Sequence, residues 1–350
     1  MQTIENVLAI ETSCDDTSVA IVHRSGRVLG LISANQDQYH KVFGGIVPEI
    51  ASRNHTENLL PLIEQLLATS QKKWSNLGGI VVTNRPGLIG SLIVGVVTAK
   101  TLSQTLNLPL LGVNHLEGHI LAPFLKDDSY QPTFSYDERF VALAVSGGHS
   151  SIYLVEKLFD YKIIGHTLDD AAGEAFDKFA KMLGLGFPGG QKVDNLSKGG
   201  DASKYSFPRS MMKEDNLLMS FSGLKSSAHR LLQQLGPEEI GKNINHLCAS
   251  FQEAVTEVLI SKLDQAVNKN KVKSVVITGG VSANSRLREL AKSWATKKSL
   301  HLMIPPIRYC TDNAAMIGLA GVLRLNNGER HKMQLGPSPS PWETDFRTEV

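Results

Sequence analysis

Two pairs of matching segments limit the fold of this chain more than any other feature. VLAIETSCDDTSVAIV, from Val7, lies over VALAVSGGHSSIYLV, from Val141, and IVVTNRPGLIGSL, from Ile80, lies over VVITGGVSANSRL, from Val275. In each pair an apolar strand runs into a turn of small residues at the same place. The order of elements around them repeats as well. In the first half, strands over Val7–Thr12, Ser18–Val22 and Val28–Ser33 form a meander. A helix over Pro48–Thr69, a strand over Gly79–Thr83, a helix over Gly90–Leu106 and a strand over Pro109–Val113 follow. In the second half, Phe140–Val145, Ser151–Val155 and Tyr161–His166 form the meander, with helices over Asp170–Leu183 and Ile240–Asn268. Strand Ser274–Thr278, helix Asn284–Ala295, strand His301–Ile304 and helix Thr311–Leu325 complete it. The pattern predicts an α/β chain of two duplicated lobes, 1–128 and 139–325, divided within the polar stretch Asp127–Glu138. The tail 326–350 is assigned to the first lobe, and its GPSPSPWE segment is too rich in proline for helix or sheet. Ligands of such folds collect at strand ends, so a cleft between the lobes is the expected binding place.

Composition sets the class. At 350 residues, with 42% hydrophobic and 20% charged side chains, the chain can build two ordinary cores and is not of the disordered type. No apolar run reaches the roughly 18 residues of a membrane span. MQTIENVLAIETS lacks a basic segment followed by a small-residue cleavage site, so no secretory signal is read. Cys14, Cys248 and Cys310 are odd in number, far apart and without a CxxC pair, which disfavours a disulfide scaffold or zinc ribbon and suits a reducing cytoplasm. A net charge of +2 neither demands nor forbids a nucleic-acid partner.

Four small-residue turns stand at equivalent strand ends: Ser146-Gly147-Gly148-His149, Gly279-Gly280-Val281-Ser282-Ala283-Asn284, Pro86-Gly87-Leu88-Ile89-Gly90-Ser91, and Pro188-Gly189-Gly190 followed by Asp194. Such turns let backbone N–H groups approach an anion. Each alone is an ordinary turn, and none is a Walker or GxGxxG motif; together they point to a phosphorylated ligand. Asn284 is either a helix cap or a base or ribose contact. His115 and His119, four apart, share one helix face and could share a metal ion. A carboxylate would complete a two-histidine, one-carboxylate set, and Asp312 is a candidate, with N-capping as its alternative role. Glu117 is not where the zincin motif places its base. Glu11, Asp15 and Asp16 gather at the first hairpin, either solvated or near phosphate and metal water. Asp169 or Asp170 caps the helix that follows, whereas Asp177 lies too far in to be a cap and is a poor helix former.

The stretches AIETSCDDTSVAI, FGGIVPEIASRNH, PGLIGSL, VNHLEGHILAPFL, ALAVSGGHS, LDDAAGEAFDK, GLGFPGG, SFSGLK, TGGVSANSRLR and CTDNAAMIG follow one another nearly end to end. In them the chain resembles the TsaD family. That resemblance implies two actin-like lobes of the ribonuclease H-like type. It implies transfer of threonylcarbamoyl from threonylcarbamoyl-adenylate to N6 of the adenosine beside the anticodon, in tRNAs reading codons that begin with A, with release of AMP. It implies a divalent ion, iron(II) or zinc, on His115, His119 and Asp312, and substrate contacts at Val145, Ser146, Gly147, Gly148, His149, Asp177, Gly190, Asp194 and Asn284. A TsaB-like paralogue and a TsaE-like P-loop ATPase are the implied partners. Glu11 and Asp15 are assigned to proton handling or metal water. Lys178, Lys181, Lys225, Arg230, Arg286, Arg288, Lys292, Lys297 and Lys298 are candidates for tRNA phosphate. Arg85 stands where the family usually has glycine. The rivals are a metalloprotease, a sugar or acetate kinase on the same fold, and a non-catalytic paralogue.

Overall fold

The computed structural model describes residues 3–340 and 346–348. It contains two units, the first made of residues 3–135 with 305–340, the second of Tyr136–Ile304 with the strand Phe346–Thr348.

The first unit is built on a five-stranded sheet. Its strands are β1 (Asn6–Glu11), β2 (Thr17–His23), β3 (Val28–Ala34), β4 (Gly79–Arg85) and β5 (Leu110–Asn114), in the order β3-β2-β1-β4-β5. β1 to β3 pair antiparallel and β1, β4 and β5 pair parallel. The strands read as unbroken apolar runs because both faces are covered. Leu8, Ile10, Val19, Ile21, Ile80 and Val82 form one core with Leu59, Ile63 and Leu66 of the helix Pro48–Thr69 and Val96 and Ala99 of the helix Ile89–Leu106. The alternate residues Ala9, Val22 and Val81 meet the helix Ala314–Asn326. That helix lies close because it presents Gly318 and Gly321, where a Cβ would stand 2.5 Å from Val22 and 2.4 Å from Val81.

Here the sequence expectation needs correction. The helix ending at Asn326 was placed in the second lobe, 139–325; its small residues fit the sheet of the first unit instead. The tail 326–350 is also divided. Residues up to 340 stay with the first unit, while Phe346–Thr348 pairs parallel with a strand of the second. Residues 341–345, which include part of GPSPSPWE, lie outside the described residues. By length and composition alone, the helix Ile89–Leu106 is apolar enough to cross a membrane. Its small and apolar residues Ser91, Leu92, Gly95, Val96 and Ala99 are buried within the first unit.

The second unit repeats the plan. Its strands β6 (Phe140–Val145), β7 (Ser150–Lys157), β8 (Asp160–His166), β9 (Ser274–Thr278), β10 (His301–Met303) and β11 (Phe346–Thr348) run in the order β10-β9-β6-β7-β8-β11. Apart from β11 this is the order of the first sheet, with the same parallel and antiparallel pairings. The duplication inferred from sequence is therefore present in the topology. The core gathers Phe176, Phe179, Phe207 and Phe251, with Phe179 stacked on Phe251 at 4.0 Å between ring centroids. The long helix Ser222–Asn270 breaks at Gly236, where φ is +72° ahead of Pro237.

Candidate metal centre and ligand turns

One strand end and one loop of the first unit bring the metal candidates together. β5 ends at Asn114, whose side chain accepts from the Leu116 N–H at 2.9 Å and so starts the helix His115–Leu121. One turn apart on that helix, the imidazoles of His115 and His119 lie 4.6 Å apart, nearly perpendicular. Asp312 reaches them from the loop before the helix Ala314–Asn326, its Oδ1 3.3 Å from His115 Nε2 and 3.1 Å from His119 Nε2. The cap of that helix is Asn313, which accepts from the Met316 N–H, so Asp312 is left for the histidines. One ligand atom from each residue lies within 4.8 Å of the others. Two imidazoles and one carboxylate suit a borderline divalent ion such as iron(II) or zinc, and three protein ligands leave positions open for substrate.

Glu11, at the buried end of β1, sets up the first ligand. Its Oε2 lies 3.0 Å from His115 Nδ1 and accepts from Thr83 Oγ1 at 2.5 Å, while Oε1 accepts from the Ser13 N–H at 2.5 Å. This anchors Nδ1 and directs Nε2 toward Asp312, the arrangement that orients metal-binding histidines. Burial opposes charge on His115, but Asp312 and Glu11 on its two sides outweigh it and hold the imidazole well above its usual range. Burial opposes charge on Asp312 too, but His115 and then His119 outweigh it and hold its carboxyl well below the usual carboxylate range. His119 is lowered, by burial and by the neighbouring His115. Both Glu11 oxygens are engaged, which places it to position His115. Asp15 remains partly accessible in the loop after β1, its carboxyl raised by burial and by nearby Asp312.

The carboxylate of Glu117 turns away from this cluster. It accepts from Arg324 Nε at 2.8 and 3.0 Å, and Arg324 also holds Glu329 at 2.8 Å. The pair ties the helix carrying both histidines to the helix that follows Asp312, and it holds Glu117 away from the cluster, where a protease reading would want a base.

In the second unit two of the ligand turns stand at strand ends, after β6 and after β9, whereas Pro188-Gly189-Gly190 joins the helices Ala172–Met182 and Gly190–Ser197, which corrects the expected strand end there. Ser146–His149 joins β6 to β7, with Ser146 N–H donating to the His149 carbonyl at 2.8 Å. Gly173 and Gly279 pack against this turn, where a Cβ would stand 2.5 Å from the Ser146 carbonyl and 2.4 Å from the Val145 carbonyl. Gly147, Gly148 and Gly280 are different: a Cβ on any of them meets nothing within 4 Å, and none has a positive φ. Neither packing nor backbone conformation requires glycine there, whereas close approach of a ligand to the main chain would.

Asp177 accepts from the Gly189 N–H at 2.7 Å, which fixes the turn leading to Gly190 and the helix Gly190–Ser197. Asp194 accepts from Ser285 Oγ at 2.6 Å, and Asn284 caps the helix Ser285–Lys298 by accepting from the Leu287 N–H. Asn284 also donates to Gln252 Oε1 at 2.6 Å, and Gln252 donates to Ser197 Oγ at 2.8 Å. Asn284 is thus a cap, with its amide directed to Gln252. Asp169 does not cap its own helix, which starts after Ala171; it accepts from the N–H groups of Phe221 and Ser222 and caps the helix there. Sequence reasoning missed Thr83, Ser13, Gln252 and Arg324, whose roles depend on partners distant along the chain. Arg85 ends β4 opposite Asn114, half-buried.

Comparison with known proteins places these features in context. The profile of one family, TsaD: tRNA N6-adenosine threonylcarbamoyltransferase, matches residues 27–319. A protein of Bdellovibrio bacteriovorus named tRNA N6-adenosine threonylcarbamoyltransferase is 60% identical over 344 residues, 98% of this chain and 100% of that one. One of Geotalea uraniireducens with the same name is 47% identical over 321 residues, 92% of each. Among solved structures, T. kodakarensis HypF superposes with a TM-score of 0.62 at 12% identity, over 92% of this chain and 48% of that one. Full-length HypF in a phosphate- and nucleotide-bound form gives 0.58 at 13%, over 93% and 47%. These similarities show the actin-like fold.

Proposed function

The chain belongs to the TsaD family of tRNA N6-adenosine threonylcarbamoyltransferases, and from that premise we propose that it moves threonylcarbamoyl from threonylcarbamoyl-adenylate to the adenosine N6 beside the anticodon, releasing AMP. The observation that carries the reading is the convergence of His115, His119 and Asp312. The acceptors are tRNAs reading codons that begin with A.

The substrate is a mixed anhydride, so no covalent nucleophile is needed. The enzyme must hold the adenylate, polarise the carbamoyl carbonyl and align a weak aromatic amine. His115, His119 and Asp312 would hold a divalent ion, iron(II) or zinc, which would supply Lewis-acid polarisation of that carbonyl. Glu11 keeps His115 Nε2 turned toward Asp312. The main chain at Val145, Ser146, Gly147, Gly148 and His149 takes the adenylate phosphate, the open glycines allowing its approach. Asp177, Gly190, Asp194 and Asn284 shape the turns that receive ribose and base. N6 attacks the carbamoyl carbon, the bond from that carbon to the phosphate oxygen breaks, and AMP leaves with the electron pair. Asp15, raised by its surroundings, accepts the proton lost from N6.

The reaction runs in the cytoplasm with a TsaB-like paralogue and a TsaE-like P-loop ATPase. An exposed apolar ridge of Ile89, Ile93 and Val97, one helical turn apart each, supports a stable protein partner. The test is AMP release from synthetic threonylcarbamoyl-adenylate by the full chain with both partners. Addition of acceptor tRNA should raise the rate about tenfold or more over spontaneous hydrolysis. A rate indifferent to tRNA would overturn the reading.

A further inference from the structure

The helix segment that opens at Ser222 has an unusual charge distribution. Leu224, Ala228 and Leu232, four apart, are buried and set its inner face. Lys225, Ser226, His229 and Arg230 fall on the outer side and line a shallow hollow of about 290 Å³ with Met182, the last residue of the helix Ala172–Met182. Between Asp215 and Glu238 the sequence contains no acidic residue.

Several basic residues on this unit are neutralised, whereas Lys292 and Lys297, like the hollow's cations, have no ion pair among the described residues. Lys178 is held by Asp170 and Glu174 at 2.7 and 2.8 Å. Arg286 is held by both oxygens of Glu253 and by Glu289. Lys298 pairs with Asp264 at 2.9 Å, and Lys242 pairs with Glu238 at 2.7 Å. Among the described residues, no ion pair engages Lys225 or Arg230, nor the exposed Lys181 next to Met182. The start of the helix is not the anion site, because Asp169 already occupies its first N–H groups.

We propose that the hollow lined by Lys225, His229 and Arg230 is a contact site for the sugar–phosphate backbone of RNA. The proposal rests on the tRNA-modifying reading above and gives it a place on the surface. An open hollow with only side-chain donors offers a free phosphate little advantage over water. A polyanion gains at each such contact, because condensed counterions are released along its length. Ser226 adds a hydroxyl donor to the same wall.

The experiment measures binding of acceptor tRNA to the full chain by fluorescence anisotropy from about 50 to 200 mM salt. The double variant Lys225→Gln/Arg230→Gln should bind about tenfold more weakly near 100 mM salt, and its slope of log affinity against log salt should fall by about two. Lys242→Gln, which removes a cation already paired, should change neither. Equal slopes and affinities for the double variant and the unaltered chain would overturn the proposal, as would failure of the unaltered chain to bind tRNA. Loss of inorganic phosphate or AMP binding with tRNA binding intact would assign the hollow to a small anion and overturn it too. Normal transfer with unchanged slopes sinks the patch alone. A patch-dependent slope in a chain that transfers nothing supports the patch and sinks the transfer reading.

Discussion

His119→Ala should leave the chain folded, reduce bound iron or zinc from about one equivalent to a trace, and slow single-turnover transfer by about a hundred- to ten-thousandfold. The magnitude follows from the several kcal/mol that a Lewis acid contributes to such a step, at 1.36 kcal/mol per tenfold. His119 is buried, so the nearly isosteric Asp312→Asn serves as a second variant; its side chain is 26% exposed and tolerates change. Glu11→Gln should behave differently. An amide keeps the shape but loses the charge facing His115 Nδ1, and metal affinity should fall by about 10- to 100-fold without being abolished. Elemental analysis after dialysis, and titration with the metal, distinguish the cases. Full metal content in both His119→Ala and Asp312→Asn would remove these residues from the ligand set.

The second large effect concerns stability. Arg324→Ala should destabilise the first unit by about 3–5 kcal/mol, because Glu117, only 1% exposed, would keep a buried charge and lose the guanidinium bound to both its oxygens. The double variant Glu117→Leu/Arg324→Leu should recover most of the loss, since removing both charges removes the uncompensated one. Urea unfolding of the three proteins tests this. A double variant as unstable as Arg324→Ala would show that the ion pair matters through specific geometry. An Arg324→Ala variant of ordinary stability would contradict the account of how the ligand-bearing helices are joined.

The sequence made the central strands legible because β1, β2, β4, β6, β7 and β9 are covered on both faces and read as apolar runs. The helix Pro48–Thr69 was legible to the residue because Pro48 opens it. Assigning Ala314–Asn326 failed for a different reason. Its packing on β1, β2 and β4 depends on the missing side chains of Gly318 and Gly321 matching Val22 and Val81. Periodicity contains no information about which sheet a helix will cover. The helix Gly190–Ser197 was hidden because it begins in glycines that read as a turn.

The histidine pair was visible because helical spacing brings i and i+4 together. Asp312, 193 residues from His119, could be proposed only from the chemistry the pair still lacked. Glu11 was noticed as a carboxylate at a strand end, but its role depends on His115, which lies 104 residues further on. Asp169 was read as a local cap and instead caps a helix 52 residues away. Long-range hydrogen bonds of this kind decide roles, and they become visible only in the folded chain.

The most direct test of the central claim is nucleoside mass spectrometry after a single turnover. The full chain, its two partner proteins, threonylcarbamoyl-adenylate and an acceptor tRNA would be mixed, and the tRNA digested. The account predicts threonylcarbamoyl-adenosine at the position beside the anticodon, in near-stoichiometric yield with the unaltered chain and only in traces with His119→Ala. Unmodified adenosine with this chain, while the Bdellovibrio relative modifies the same tRNA under the same conditions, would contradict it.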